Sequence, residues 1–338
     1  MAEVPLTSTL PPHRLSVVIP LYNEAENIRA LLQTVHRALQ EYRFPWELIL
    51  VDDGSHDRTY ELLVEEAEHY GPHARVLGLQ RNFGQTAAMQ AGIDAARGDV
   101  IATMDGDLQN DPADIPRLVD RLLNDDLDLV AGWRKKRKDA LLLRKIPSRI
   151  ANRLIGRLTG VRLHDYGCSL KVYRTSLIRT VRLYGEMHRF IPAWVATSTR
   201  PDRIREEVVH HHPRAGGRSK YGISRAFRVT LDLLAMFFFL RFSARPGHFF
   251  GVLGLATGAL GSIALGYLLV LKVLGEDIGT RPLLITGVLL VLMSVQFIST
   301  GIQSEIMTRI YYGSREGRSY LLRLGTGCEL AEDEGWKR

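Results

Sequence analysis

Asp105 and Asp107 flank Gly106 at the end of the apolar run Val100–Met104, and Gln109 follows two residues later. Glycine permits a tight turn, so two carboxylates and an amide oxygen can approach one point. Hard oxygen donors of this kind suit Mg2+ or Mn2+. Those ions keep one or two carboxylates and take other ligands from substrate phosphates. An Asp-X-Asp in a surface loop is usually a solvated turn. At the end of a strand, with acids at neighbouring strand ends, it points to a metal-assisted site.

The elements that must position these residues follow from hydrophobic periodicity. Leu15–Pro20, Glu47–Val51, Arg75–Leu79, Val100–Met104 and Leu127–Ala131 are short apolar runs that predict strands. Between them, Ile28, Leu31, Leu32, Val35 and Leu39 recur at helical spacing, with Asn23 expected as the cap. Further helices are expected over Asp57–Tyr70, Thr86–Ala96 and Asp114–Asn124. Alternating strands and helices predict an α/β domain with a mostly parallel sheet covered on both faces.

Ligands of open α/β sheets bind beyond the carboxyl ends of the strands. Those edges carry Pro20-Leu21-Tyr22-Asn23-Glu24, Asp52-Asp53-Gly54-Ser55, Arg81-Asn82-Phe83-Gly84-Gln85, Asp105–Gln109 and Gly132-Trp133-Arg134. No dinucleotide fingerprint follows the first strand and no GxxxxGK[ST] occurs, which disfavours a hydride-transfer enzyme and a P-loop nucleotidase.

The chain has 338 residues, 44 Lys+Arg against 37 Asp+Glu, and a net charge of +7. Its mean hydropathy of −0.05 hides a segregation. Phe249–Leu271 and Pro282–Ser304 contain no charged residue, and each has 23 residues, enough to span a ~30 Å hydrocarbon core as a helix. Gly251, Gly254, Gly258, Gly261 and Gly266 fit close packing of membrane helices. Arg225, Arg228, Arg241 and Arg245 precede the first span, and Arg309, Arg315, Arg318 and Arg323 follow the second. The positive-inside rule therefore predicts an inner-membrane protein with both termini cytoplasmic and the loop Lys272–Arg281 outside. Phe227, Leu231, Leu234, Phe238 and Phe242, with charges between them, predict an amphipathic helix at the membrane interface. No signal peptide is visible at the start, and Cys168 and Cys328 make neither a disulfide framework nor a metal motif.

The set PLYNE (20–24), VDDGS (51–55), RNFGQTAAMQAG (81–92), MDGDLQNDP (104–112), DYGCSLKVYR (165–174) and SKYG (219–222) resembles the GT-A glycosyltransferases of family 2. The similarity is to the polyprenyl-phosphate and dolichyl-phosphate branch, in its bacterial two-span form, from Leu15 to about Tyr312. It implies a Rossmann-like GT-A domain and inverting transfer of a monosaccharide from a nucleotide sugar, UDP before GDP, to a polyprenyl phosphate such as undecaprenyl phosphate. It also implies a homo-oligomer, since the branch includes tetramers. Residue by residue, Pro20, Tyr22, Glu24, Asp53, Arg81 and Asp105 match positions near the nucleotide sugar. Asp107, Gln109 and Asp105 match the metal ligands. Arg134, Arg214, Ser219 and Lys220 match the acceptor-phosphate side; Arg137, in the basic run after Arg134, is a further candidate there, and Asp165, in the DYGC motif, either orients donor or acceptor or forms a structural turn.

The domain order expected is a tail (1–13), a catalytic domain (14–221), an interfacial segment (222–248), two spans (249–271 and 282–304) and a cytoplasmic tail (305–338). Ten Lys/Arg between Arg134 and Arg157 fit attraction to anionic lipid headgroups, notably Lys135, Lys136 and Lys138. No nucleic-acid motif accompanies the pI of about 9.5. His210-His211-His212 would alternate faces on a strand and make a poor metal site. His188-Arg189 marks a turn on the membrane or acceptor side. Trp133, Phe190 and Trp194 fit packing or anchoring better than sugar stacking. Two rival readings are a processive polysaccharide synthase, which lacks support because no Gln-X-X-Arg-Trp occurs, and an inactive membrane scaffold that retained the fold.

Overall fold

The computed structural model describes residues 10–135, 155–157, 159–213 and 246–313. They fall into two compact units, an α/β domain and a pair of long helices.

The α/β domain is built on β1 (Leu15–Leu21), β2 (Trp46–Asp52), β3 (Ala74–Gly78), β4 (Val100–Thr103), β5 (Leu129–Trp133), β6 (Lys171–Arg174) and β7 (Ile204–Val208). They form one seven-stranded sheet in the order β3-β2-β1-β4-β6-β5-β7. The pairs β1/β2, β1/β4, β2/β3 and β5/β7 are parallel, while β6 runs antiparallel to β4 and β5. The sequence led to five strands; β6 and β7 are additional. β6 must run backwards because β5 ends at the carboxyl edge and the chain re-enters the sheet from that same edge. β5 starts two residues later than expected, since the Leu127 N–H bonds Leu122 O (2.8 Å) and closes the preceding helix instead.

The helices are α1 (Ile28–Leu39), α2 (Thr59–Tyr70), α3 (Gln85–Ala95) and α4 (Asp114–Asn124), with short α5 (Thr175–Ile178) and α6 (Ile191–Val195). α1 buries Ile28, Leu31, Leu32, Val35 and Leu39, the five residues whose spacing predicted it. Asn23 does not cap α1. It sits at φ 53°, a 3-10 turn (Ala25–Asn27) intervenes, and its Oδ1 accepts from the His56 N–H (2.9 Å). α3 packs hard on the sheet: a Cβ on Gly92 would lie 2.3 Å from Val18 Cγ1.

Glu47 is sealed at the amino edge of the sheet, its side chain 1% exposed. Ser16 Oγ (2.7 Å), Arg75 Nη1 (2.7 Å) and the Arg97 N–H (2.6 Å) all donate to it. Glu47→Ala leaves Arg75 and two further donors without their acceptor. Thermal unfolding should show a loss of about 3–5 kcal/mol.

Nearby, the His36 ring stacks on Tyr70 (centroids 3.9 Å) and its Nε2 lies 3.2 Å from His73 Nε2. Burial, then the His73 charge, lowers the His36 pKa from 6.5 to about 4. A depressed imidazole pKa means that the unfolded chain binds more protons between those values. The stabilisation is therefore present above pH 6.5 and is lost as pH falls toward 4. The melting temperature should drop across this window, and His36→Phe should flatten the drop.

The second unit comprises α7 (Pro246–Val273) and α8 (Pro282–Gly313). Candidate spans within them, Gly247–Val273 and Pro282–Met307, have mean hydropathies of 1.8 and 2.1. Ile263, Leu269, Val273, Ile285 and Val295 are exposed, a surface suited to lipid rather than water. Of the five glycines singled out above, three lie at the helix contact. Added Cβ atoms would fall 2.8 Å from Ile298 (Gly254), 2.6 Å from Ser294 Oγ (Gly258) and 2.9 Å from the Gly287 carbonyl (Gly261). Gly251 and Gly266 meet nothing within 4 Å. α7 begins three residues inside the segment expected to be interfacial.

Candidate active site

The chain builds β1, β2 and β3 outward and then returns to place β4 on the other side of β1, so the switch point of the sheet lies between β1 and β4. Their pairing stops at Val18–Thr103, and the strands part beyond it. The residues at and beyond the ends of these strands, Pro20–Glu24 and Met104–Gln109, lie at this crevice edge, where open α/β sheets bind ligands.

The loop after β4 has a different design from the one expected. Gly106 is not in the left-handed region; Leu108 is, at φ 60°. A Cβ on Gly106 would lie 2.8 Å from Leu21 Cδ2, so the loop lies directly on β1 and a larger residue would have to displace that side chain. Asp105 is half-buried. Its Oδ1 accepts from Gln85 Nε2 (2.7 Å), and Ser169 also hydrogen-bonds it. Burial, then the Asp107 charge, pushes its pKa up. Asp107 accepts a long bond from the Gln109 N–H (3.2 Å).

Asp53 closes the second edge. Its oxygens accept the Phe83 (2.8 Å) and Gly84 (3.0 Å) N–H groups, so both are committed to the loop before α3. Burial raises its pKa to about 6 against the pull of those bonds. Gly54, at φ 65°, lets the two loops touch; its Cβ would lie 2.3 Å from the Arg81 carbonyl carbon. The Arg81 guanidinium lies over the Phe83 ring at 4.3 Å. On the first edge, Pro20 is buried, Tyr22 is 38% exposed with its ring edge-on to His56, and Glu24 accepts from Asn27 Nδ2 (2.6 Å).

Arg134, directly after β5, meets Asp165 in a two-pronged ion pair, Nε–Oδ2 2.7 Å and Nη2–Oδ1 3.0 Å, with the side chains 13% and 16% exposed. Despite burial, Arg134 holds the Asp165 carboxyl below its ordinary range. The turn carrying Asp165 also carries Ser169, which accepts from Asn110 Nδ2 (2.7 Å). The metal-type loop and the ion pair are thus joined through one turn.

A profile for "Glycosyl transferase family 2" matches residues 16–182. Dodecaprenyl-phosphate galacturonate synthase of Rhizobium johnstonii is 59% identical over 91% of this chain and 92% of its own length. The chain belongs to glycosyl transferase family 2. Within it, undecaprenyl-phosphate 4-deoxy-4-formamido-L-arabinose transferase of Pseudomonas fluorescens is 37% identical over 89% of this chain and 86% of its own length. The relatives place the chain in the polyprenyl-phosphate branch of the family. The fold is that of glucosyl-3-phosphoglycerate synthase from Mycobacterium tuberculosis, solved with Mn2+ and UDP (TM-score 0.52, 17% identity, 68% of this chain and 80% of that one).

In this family 2 domain the donor set fits a hard divalent cation. Among the described residues no three His, Cys, Asp or Glu converge as a metal cluster. A cation held here would rest on Asp105, Asp107 and the Gln109 amide oxygen, with substrate oxygens completing its shell. The Asp107 charge, which adds to burial in raising the Asp105 pKa, is charge that such an ion would neutralise.

Other residues have different places. His210 and His212 lie beyond β7 rather than on it. His210 pairs with Asp114 and His212 with Asp111 (both 3.1 Å), while the backbone of His211 bridges Asn110. Trp133 stacks on His164 (4.3 Å, 14°) with Lys135 on its ring at 5.3 Å. His188, its pKa lowered to about 3 chiefly by burial, hydrogen-bonds Thr86 Oγ1 (2.6 Å). Sequence reasoning missed Ser169, although it lies inside the quoted DYGCSLKVYR. It also gave Gln85 no role. Lys136, Arg137, Lys138, Arg214, Ser219, Lys220 and the expected interfacial helix lie outside the described residues.

Proposed function

We propose that this enzyme transfers galacturonate from a uridine diphosphate donor to a polyprenyl phosphate, at the cytoplasmic face of the inner membrane and with Mg2+ or Mn2+. The observation that carries the chemistry is that Asp105, just beyond β4, lies within electrostatic reach of both Asp107 and the Arg134 of the Arg134–Asp165 pair. The 59% identity to a dodecaprenyl-phosphate galacturonate synthase supports the choice of sugar.

A phosphate oxygen of the acceptor attacks the anomeric carbon, and the bond to the diphosphate oxygen breaks on the opposite face, with inversion. A phosphomonoester with second pKa near 6 is largely dianionic at pH 7, so no strong general base is required. Two anions must meet, and the leaving diphosphate gains charge. The divalent cation, when bound, neutralises the diphosphate oxygens. Arg134, oriented by Asp165, offers its remaining N–H groups to phosphate. Pro20, Tyr22, Glu24 and Arg81 line the nucleoside side, and Asp53 shapes it by holding the Phe83-Gly84 backbone. Arg137, Arg214, Ser219 and Lys220 receive the acceptor phosphate. The protein acts as a homo-oligomer, like the tetramers of its branch.

Purified protein supplied with undecaprenyl phosphate and a panel of UDP- and GDP-sugars should convert UDP-galacturonate to a lipid product far faster than UDP-glucose or UDP-4-formamido-arabinose. Preference for another sugar would replace the substrate assignment. Binding without turnover of any donor would favour the scaffold reading.

Orientation is tested separately. Gly279 has ordinary backbone geometry, whereas Gly275 is at φ 91° and would strain any replacement. In a cysteine-free background, Gly279→Cys should react with an impermeant maleimide on intact cells and Ser8→Cys should not. The reverse pattern rejects cytoplasmic termini.

A further inference from the structure

Lys171 opens β6 between Thr103 of β4 and Ala131 of β5 and is only 2% exposed. A buried ammonium costs several kcal/mol unless its charge and donors are answered. One of its three N–H groups donates to the Cys168 carbonyl. Asp165 and Asp105 lie within electrostatic reach of it, with Arg134 as the opposing cation. A methionine would fill similar volume without that cost, so the charge at this position calls for a reason.

The Cys168 carbonyl belongs to the turn 165–170, and that turn carries both halves of the site. Asp165 at its start grips Arg134, and Ser169 bonds Asp105 and Asn110. Its other anchors to the sheet include the Thr103 hydroxyl donating to Ser169 O (3.1 Å) and the Gly132 N–H donating to Leu170 O (2.9 Å). A 1 Å misplacement of such a turn shifts both carboxylates and can cost about 10²-fold in rate.

We propose that Lys171 is a positioning residue for sugar transfer. Its buried ammonium clamps the 165–170 turn through the Cys168 carbonyl and, lying within reach of Asp105 and Asp165, fixes the donor loop relative to the Arg134–Asp165 pair. The kinetic consequence rests on the transferase reading above; the structural consequence does not.

Cys168 is a fully buried free thiol and reports on the turn. The test uses the full-length protein in detergent with Cys328→Ser, so that only Cys168 can be alkylated. Lys171→Met should speed native-state alkylation of Cys168 by about tenfold or more, as local opening becomes easier. It should also lower kcat by about 10²-fold with donor KM changed less than about threefold. Lys171→Arg should restore both readouts most of the way. Lys171→Gln, which keeps an N–H donor, serves if the methionine variant does not fold, and should show the same kcat–KM split. Wild-type alkylation rates in Lys171→Met, or a Lys171→Arg variant as impaired as Lys171→Met, overturn the proposal. If the wild-type protein transfers no sugar, the transferase reading fails, and the alkylation rates alone decide the role of Lys171.

Discussion

Asp107→Ala is expected to lower sugar transfer by about 10³-fold or more while the protein still folds. Asp107 is half-exposed and accepts a long contact from the Gln109 N–H (3.2 Å). Its removal leaves no buried donor stranded, so the folding stability should change little, within about 0.5 kcal/mol. Asp105 differs. It accepts from Gln85 and Ser169, so Asp105→Ala should lose both activity and stability. Calorimetry of UDP binding with and without Mn2+ separates the two roles: Asp107→Ala should abolish the enhancement by metal and keep residual nucleotide binding. Full activity of Asp107→Ala would remove the metal assignment.

Arg134→Ala should produce the second large effect, on two properties at once. Asp165 would be left with its charge in a site that is 16% exposed and without the two-pronged partner. Breaking a buried pair costs roughly 3–5 kcal/mol, and the residual exposure here places the loss toward the lower end. Transfer should fall by about 10²–10³-fold, because the cation proposed to face the phosphates is also gone. Lysine at 134 restores charge without the planar fork, so it should recover part of the stability and little of the rate. Asp165→Asn is the control. It keeps shape but loses the charge that orients Arg134, and its rate should fall with the acceptor concentration saturating. A normal kcat in Asp165→Asn would make the pair purely structural. The pH dependence follows the same pair. Arg134 depresses the Asp165 pKa, so the stabilisation is complete above the unfolded-state carboxyl pKa of about 4 and disappears as pH falls through the lower folded value.

Much of the fold, and the strand-end placement of Asp105 and Asp107, were legible because their signals are local. A carboxylate pair after a β-branched run, an α1 stripe of Ile28, Leu31, Leu32, Val35 and Leu39, and two charge-free windows each lie within one stretch of chain. Local signals failed where the deciding contact comes from elsewhere. Asn23 has the right residue type for a cap, yet it is drawn to His56 on the neighbouring loop. Gly106 reads as a flexible turn, yet its constraint is close packing on the Leu21 side chain 85 positions earlier. β6 is four residues long and contains a lysine and an arginine, so no alternation announced it.

The sequence by itself determined the class of protein: an α/β catalytic domain with two carboxylates at a strand end, and two lipid-suited helices. Those features depend on hydrophobic periodicity and on residue type, which are properties of short windows. Tertiary structure decided which groups form the site together. Arg134 meets Asp165, Ser169 meets Asp105, and Lys171 holds the turn between them, because β6 enters the sheet antiparallel and brings residues 165–171 to the edge where β4 ends. Buried charge tolerates no distant partner, so only the fold could reveal which carboxylate each cation answers.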